Sequence, residues 1–267
     1  MWLRRTAACA LTVPLALLLF RDTPVRLFAA QPAPLSGVQR PAIVSRAEWH
    51  ADEALVKEVA TTTGTVQTVF IHHTGHANGY SCADTPAMLR AMEESHIRDQ
   101  GWDDIGYNFV VDRCGTIYEG RAGSIGRSVL GAHTTGFNAH SVGIAALGTF
   151  HPGVPGSDAL IKGIAKVGAW KLDRAVDPRG LVRMVSTNDD SLYPRGQAVS
   201  LPTVAGHRDT YQTHCPGDAL YAQLPLIRTE MARLRNSHRQ QRSADGGTGA
   251  PDHRGHLLRD RHPYRAG

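Results

Sequence analysis

The stretch at residues 141–147 constrains the fold of this chain most, because it holds no charged side chain and fits a central strand. Such a strand is buried on both faces, so its sheet needs other elements above and below it. Helix and strand signals alternate around it across residues 43–235. We therefore predict an α/β fold class, a single domain with a central mixed β-sheet flanked by helices.

The neighbouring elements follow from capping residues, turn residues and apolar periodicity. Residues 66–71 are β-rich and predict a strand that ends just before His72. A helix begins at Asp84 or Thr85, and Gly101 ends it. We further predict strands at 107–111 and 116–118, a helix from Ser157 or Asp158, a long surface loop at 177–201, and a helix at 218–235 that Pro225 restarts or kinks.

The two ends of the chain differ from its middle in charge. Residues 1–30 carry four Arg and one Asp, and residues 237–267 carry six Arg and three Asp. Residues 31–236 are nearly neutral, with 19 basic and 20 acidic side chains. The basic balance therefore comes from the ends, and we predict no nucleic-acid partner for the domain between them.

The first thirty residues have the form of an export signal. A basic start precedes an apolar run at residues 7–20, shorter than the roughly 20 residues that a membrane helix needs. We predict a signal peptide at 1–30, a linker at 31–42, the domain at 43–235 and a disordered basic tail at 236–267. The protein is then secreted, with no stable membrane span after cleavage; an uncleaved anchor is the alternative.

Cys82, Cys114 and Cys215 remain once the signal is removed. In an oxidising compartment two of the three should pair, and the third should have another role. The sequence alone does not fix which two. The loop around Cys82 and the turn around Cys114 favour that pair and leave Cys215 free.

Side chains with ligand chemistry occur at three distant places. His72 follows a β-rich strand, His207 follows another apolar run, and Cys215 comes eight residues after His207. Zinc takes imidazole nitrogen and thiolate sulfur in tetrahedral geometry, and three protein ligands leave the fourth position for water. Because adjacent residues of a strand face opposite ways, His73 is expected to line the cleft. The alternative is hydrogen-bonded loop histidines beside a buried free thiol.

Six motifs occur in order across residues 43–235. They are Val44-Ser-Arg-Ala-Glu-Trp49, Phe70-Ile-His-His-Thr74, Gly101-Trp-Asp-Asp-Ile-Gly-Tyr-Asn-Phe109, Asp112-Arg-Cys-Gly-Thr-Ile-Tyr-Glu-Gly-Arg121, Gly131-Ala-His133 with Asn138, and Gly206-His-Arg-Asp209 with Cys215-Pro-Gly217. Together they closely resemble the peptidoglycan recognition protein family, which shares its fold with bacterial and phage N-acetylmuramoyl-L-alanine amidases of the type 2 class.

This resemblance implies a secreted bacterial zinc enzyme with a substrate groove beside the metal. It gives the role of Zn²⁺ ligands to His72, His207 and Cys215. Tyr107 and Thr213 match catalytic positions beside the metal, and His133 and Asn138 match groove residues that bind substrate, as His73 is expected to do. The resemblance also supports the disulfide between Cys82 and Cys114.

The implied reaction is hydrolysis of the amide between the N-acetylmuramic acid lactyl group and L-alanine, with peptidoglycan or a muropeptide as the partner and a monomeric enzyme. Non-catalytic members lose the cysteine ligand, which this chain keeps as Cys215. A recognition module without turnover is the alternative, and a zinc peptidase is a third possibility. No acid lies in residues 141–147, where some amidases of this fold carry Glu, so we assign proton transfer to Tyr107 with water.

Overall fold

The predicted central strand is β4, Ser141–Ala146, which lies in the middle of a five-stranded sheet. The computed structural model describes residues 38–246. The predicted signal peptide, residues 31–37 of the linker and residues 247–267 of the tail lie outside that range. Val142, Ile144 and Ala146 point to one face of β4, and every residue of the strand is buried, as its composition indicates.

The sheet is mixed, with the order β3-β2-β4-β1-β7. Four of its strands are parallel to one another: β1 (Thr68–His73) pairs with β4 and with β7 (Val204–Gly206), and β4 also pairs with β2 (Phe109–Val111). At the other edge β3 (Ile117–Glu119) runs antiparallel to β2. β1 begins and ends two residues later than predicted, so it includes both His72 and His73.

Helices cover both faces of this sheet. α2 (Asp158–Lys171) begins at Ser157, whose hydroxyl accepts the Leu160 N–H, and it packs on β4. α4 (Leu224–Gly246) packs on α2 and β7. On the opposite face, Leu89 and Met92 of α1 (Thr85–Glu94) pack with residues of β2, β3 and β4. The predicted α/β architecture, a central mixed sheet flanked by helices, is confirmed.

The C-terminal helical segment is interrupted where Pro225 indicates. α3 (Asp218–Ala222) ends at Gln223, and α4 starts with Pro225 in its first turn, where a missing N–H costs nothing. α4 continues past residue 235 to Gly246, so it extends into the segment predicted as tail. Within residues 38–246, none of the helices has both the length and the apolar character that crossing a bilayer requires.

The prediction of a long surface loop at 177–201 was wrong, because this segment contains a β-hairpin. β5 (Leu181–Val185) and β6 (Ala198–Pro202) form a separate two-stranded antiparallel sheet. Leu181 is 71% exposed and Val185 51% exposed, so apolar side chains alternate outward and hide the pattern of a half-buried strand. The inner face of the hairpin packs Met184 and Leu201 against Phe70 and Phe137.

A disulfide joins Cys82 to Cys114, the pair that the sequence favours, across 32 positions of chain. Cys82 begins a short 3-10 turn just before α1, and Cys114 lies in the turn between β2 and β3. Cys215 is buried and unpaired. The bridge therefore fixes the start of α1 to the β2–β3 hairpin.

Candidate metal centre

The candidate site lies at the carboxyl ends of β1 and β7, the usual place for a ligand in an open α/β sheet. His72 is the penultimate residue of β1, and His207 follows directly after β7 in a 3-10 turn, His207–Asp209. Since the two strands are parallel neighbours, their ends meet at one edge. The ring centroids of His72 and His207 are 4.6 Å apart.

A returning loop brings Cys215 to the same point. The backbone N–H of Arg208 donates to the Cys215 carbonyl at 3.0 Å, and the Cys215 N–H donates to the Thr213 hydroxyl oxygen at 3.1 Å. The sulfur lies 3.8 Å from His72 Nδ1. It also accepts the backbone N–H of His73 at 3.3 Å. One ligand atom from each of His72, His207 and Cys215 lies within 4.8 Å of the others.

These three donors fit a zinc ion. Zinc bonds of about 2.3 Å to sulfur and 2.0–2.1 Å to nitrogen, at a tetrahedral angle, separate the two donor atoms by roughly 3.6 Å. The 3.8 Å between Cys215 Sγ and His72 Nδ1 is close to that spacing. Two imidazoles and one thiol form the three-ligand set typical of zinc sites that keep one open position.

Burial keeps the imidazoles neutral. It lowers the pKa of His72 well below its ordinary value and lowers the pKa of His207 to about 4, and neighbouring histidines add to both shifts. Burial likewise raises the pKa of the Cys215 thiol to about 12, although the His73 N–H and Arg208 oppose this shift. The imidazoles therefore offer free lone pairs, whereas the sulfur needs a cation beside it to become a thiolate.

Tyr107 lies beside the three donors. Its ring is tilted against that of His72, with centroids 5.3 Å apart, and the residue is partly buried. Burial raises the pKa of its phenol, and the nearby Cys215 raises it further, so the hydroxyl keeps its proton at neutral pH. Within residues 38–246 no hydrogen-bond partner holds this hydroxyl, which leaves it free to donate.

Thr213 and His73 flank the sulfur. Thr213 supports the Cys215 loop as an acceptor, and its own O–H remains available to donate. The imidazole of His73 is half-buried, its Nδ1 has no partner among the described residues, and His73 is not one of the three grouped donors. Both side chains thus border the donors.

His133 and Asn138, the two predicted groove residues, each contact another part of the site. His133 is only 5% exposed and lies behind His72, with His133 Nδ1 3.2 Å from His72 Nε2. Asn138 Oδ1 accepts the backbone N–H groups of His133 and Thr134, each at 2.9 Å. His133 therefore lies behind His72, and Asn138, which is partly exposed, holds the backbone beside it. Substrate binding by these two residues stays a prediction.

Sequence reasoning missed three neighbours of the site. Tyr211 stacks on His207 with centroids 5.4 Å apart, and its position four residues later was the available signal. His96, expected to be a core or capping residue, accepts the Gly106 N–H at 3.2 Å and lies 5.6 Å from the Tyr107 ring. It belongs to a π-helical turn, Ser95–Asp99, which the sequence does not mark. Ser141, the third, lies 3.4 Å from His133 Nε2.

The sequence of this chain matches one known family and several known proteins. The family model Amidase_2, described as N-acetylmuramoyl-L-alanine amidase, matches residues 62–218. Peptidoglycan-recognition protein LB of Drosophila melanogaster is 32% identical over 191 residues, covering 70% of this chain and 69% of that protein. The N-acetylmuramoyl-L-alanine amidase of Sus scrofa is 34% identical over 159 residues, covering 58% of this chain. The chain spans only 22% of the length of that pig relative.

Solved structures give the same picture. Wild-type Drosophila PGRP-LB matches with a TM-score of 0.53 and 28% identity, over 68% of this chain and 92% of that one. A tyrosine-to-phenylalanine variant of that protein, in complex with tracheal cytotoxin, matches with a TM-score of 0.53 and 28% identity, over 71% and 95% of the two chains. The similar proteins thus include one named as an amidase and others named for recognition of peptidoglycan.

Proposed function

Because this chain belongs to the Amidase_2 family, we propose that it is a zinc-dependent N-acetylmuramoyl-L-alanine amidase. Its reaction is hydrolysis of the amide between the lactyl group of N-acetylmuramic acid and L-alanine in peptidoglycan stem peptides. The observation that carries this proposal is the meeting of His72, His207 and Cys215, three donors of the right chemistry and spacing for a zinc ion.

In the proposed mechanism this chain's residues bind the metal and stabilise charge. His72, His207 and the Cys215 thiolate would hold zinc, which when bound would supply Lewis acidity and make water a stronger acid. The backbone N–H of His73 donates to the sulfur and favours its thiolate form. Because the thiolate is anionic, it lowers the charge of the site relative to three neutral imidazoles.

Tyr107 supplies a hydrogen-bond donor where negative charge develops. Its hydroxyl keeps its proton at neutral pH, so it donates to the oxygen of the scissile carbonyl as that oxygen becomes negative. Thr213 offers a second hydroxyl from the Cys215 loop. The central strand Ser141–Ala146 carries no acid, so we assign delivery of a proton to the leaving amine to Tyr107 together with water.

The disulfide supports a location outside the cytoplasm. Disulfides form and persist in oxidising compartments, and the Cys82–Cys114 bridge agrees with secretion to the cell wall or the medium. We also propose that the enzyme acts as a monomer, with peptidoglycan or a muropeptide as its partner. Sedimentation of the purified protein tests the monomer.

Recognition of peptidoglycan without turnover is the second candidate. Two observations favour it: the central strand lacks an acidic residue, and several similar proteins are named for recognition. Retention of Cys215 and Tyr107 favours the enzyme, because a binding module needs neither a metal ligand nor a phenol donor there.

Metal analysis and product identification on defined muropeptides decide between these functions. We expect about one zinc per purified chain, and release of stem peptides that begin with a free amine on L-alanine and leave an intact lactyl carboxylate. Chelation should abolish release, and added zinc should restore it. Binding without release would establish the recognition module instead, and cleavage within the stem would establish a peptidase.

A further inference from the structure

The two ring nitrogens of His72 face different partners. Nδ1 faces the Cys215 sulfur at 3.8 Å, on the side of the grouped donors. Nε2 faces inward and lies 3.2 Å from Nδ1 of His133. A neutral imidazole carries one proton, so whichever nitrogen bears it decides which partner His72 serves.

The hydrogen bonds beyond His72 accommodate the arrangement of protons that leaves its Nδ1 lone pair free. If His72 Nδ1 is to offer a lone pair to a metal, the proton sits on Nε2 and is donated to His133 Nδ1. The His133 proton then sits on Nε2, which lies 3.4 Å from the Ser141 hydroxyl oxygen. Ser141 in turn donates its own proton to the backbone carbonyls of Phe137, at 2.8 Å, and Asn138, at 3.0 Å. This series of hydrogen bonds ends at backbone carbonyl groups, which can only accept.

The space around His133 is shaped to hold this ring. A Cβ at either Gly131 or Gly143 would overlap the His133 ring, so both positions need glycine for the ring to rest against the backbone. The Phe70 ring lies 6.0 Å away, and His133 itself is buried. Two glycines, an aromatic ring and two hydrogen bonds therefore fix the side chain in one orientation.

We propose that His133 is a positioning residue, which holds His72 in the tautomer that presents Nδ1 to the metal, and that Ser141 orients His133 in the same way. This inference rests on the proposed function. Second partners of ligating histidines are worth about 10–100-fold in metal affinity. A neutral imidazole in this position orients the ligand without adding the negative charge that a carboxylate would bring.

The test is zinc affinity of the full chain, measured by competition with a chelator. We expect His133→Leu to weaken zinc binding by about 10–100-fold, because it removes the acceptor of the His72 proton. In His133→Asn the side-chain oxygen replaces Nδ1 as acceptor, so affinity should stay within a few-fold of wild type. Ser141→Ala should fall between the two. His50→Asn, on an exposed residue with φ 59° that asparagine tolerates, is the matched control and should change nothing.

The outcomes separate this inference from the proposed function. Wild-type protein that binds no zinc would overturn both. Wild-type protein that binds zinc while His133→Leu binds it equally well would overturn only the role of His133. Should His133→Leu fail to fold, ¹⁵N-edited imidazole spectra of the zinc-loaded wild type give the answer: protons on Nε2 of both His72 and His133 are expected, and a proton on Nδ1 of either overturns the proposal.

Discussion

The two faces of the central sheet are equally buried and chemically different. Along β1, Val69 and Ile71 point to α2 and α4, whereas Phe70 and His72 point to the opposite face. Along β4, Val142 and Ile144 join the hydrophobic core. Gly143 has no side chain on the opposite face, and the His133 ring packs there. We call these the helix face and the site face.

The difference shows what each face demands of the sequence. Apolar burial is non-directional, so many aliphatic side chains of similar volume would serve on the helix face. On the site face each buried nitrogen and hydroxyl needs a partner, because an unpaired polar group costs roughly 1–3 kcal/mol. Substitutions on the two faces should therefore fail in different ways: loss of stability on one and loss of zinc binding or turnover on the other.

The largest effect is expected from Cys215→Ala on the site face. Removing the thiolate should empty the zinc site and lower amide hydrolysis by more than ~10³-fold, since metal-assisted catalysis is lost. The zinc-free variant should unfold in urea within about 1–2 kcal/mol of zinc-free wild type. Full activity in a metal-free preparation of this variant would refute Cys215 as a ligand.

The opposite pattern is expected from Ile144→Ala on the helix face. Ile144 is adjacent to Gly143 and points away from it into the core. Its truncation should cost about 2–5 kcal/mol of unfolding free energy through lost burial and a cavity. Zinc affinity and activity per folded molecule should stay near wild type. A large fall in zinc affinity would show that the two faces are not independent.

Tyr107→Phe sharpens the comparison within the site face. It keeps the ring against His72 and removes only the hydroxyl, so zinc content and stability should not change. Loss of one positioned donor typically costs about 10²-fold or more in turnover. Single-turnover rates on a defined muropeptide measure this, and an unchanged rate would remove Tyr107 from the mechanism.

Lys171 is a buried charged side chain on the helix face. It is buried at the end of α2, donates to the carbonyls of Ser124 and Arg127, and lies over the Phe109 and Trp170 rings. Burial lowers the pKa of Lys171 to about 8 from its ordinary 10.5, partly offset by Glu119. Between these values the unfolded chain holds the proton and the folded protein has lost it, so this group makes stability rise with pH in that window.

The dependence of stability on pH that Lys171 contributes can be measured by difference. From pH 8 to 10.5 the stability of wild type relative to Lys171→Met should rise, by at most about 1.4 kcal/mol per pH unit. Below pH 8 the difference should be constant. Urea unfolding of both proteins across this range provides the measurement, and parallel stability curves would contradict the assigned pKa shift.

The helix face was largely predictable from sequence. The apolar run at β4 indicates a central strand, and Ser157 marks the first turn of α2. Pro225 marks the restart that separates α3 from α4. These signals are local or periodic. They predict the helix face well because that face needs only apolar side chains at the right spacing. The hairpin of β5 and β6 escaped because its outward side chains Leu181 and Val185 are apolar.

On the site face, the three donor residues were predictable from sequence, but the burial of the residues behind them was not. Residue type, spacing and family resemblance single out His72, His207 and Cys215, and the parallel strands bring them together. The inward position of His133 depends on contacts between residues distant in sequence, above all the space at Gly143, which no local pattern reveals. No sequence pattern predicts the π-helical turn that brings His96 close to Tyr107.

The bridge between Cys82 and Cys114 has a consequence for the wall of the site that carries Tyr107. The chain between the two cysteines includes α1, the turn with His96, and Tyr107 itself, so the disulfide closes all of them into one covalent ring. A single proteolytic cut within that ring would release no fragment. Tyr107 would stay covalently attached on either side of the cut, until a reductant also broke the Cys82–Cys114 disulfide.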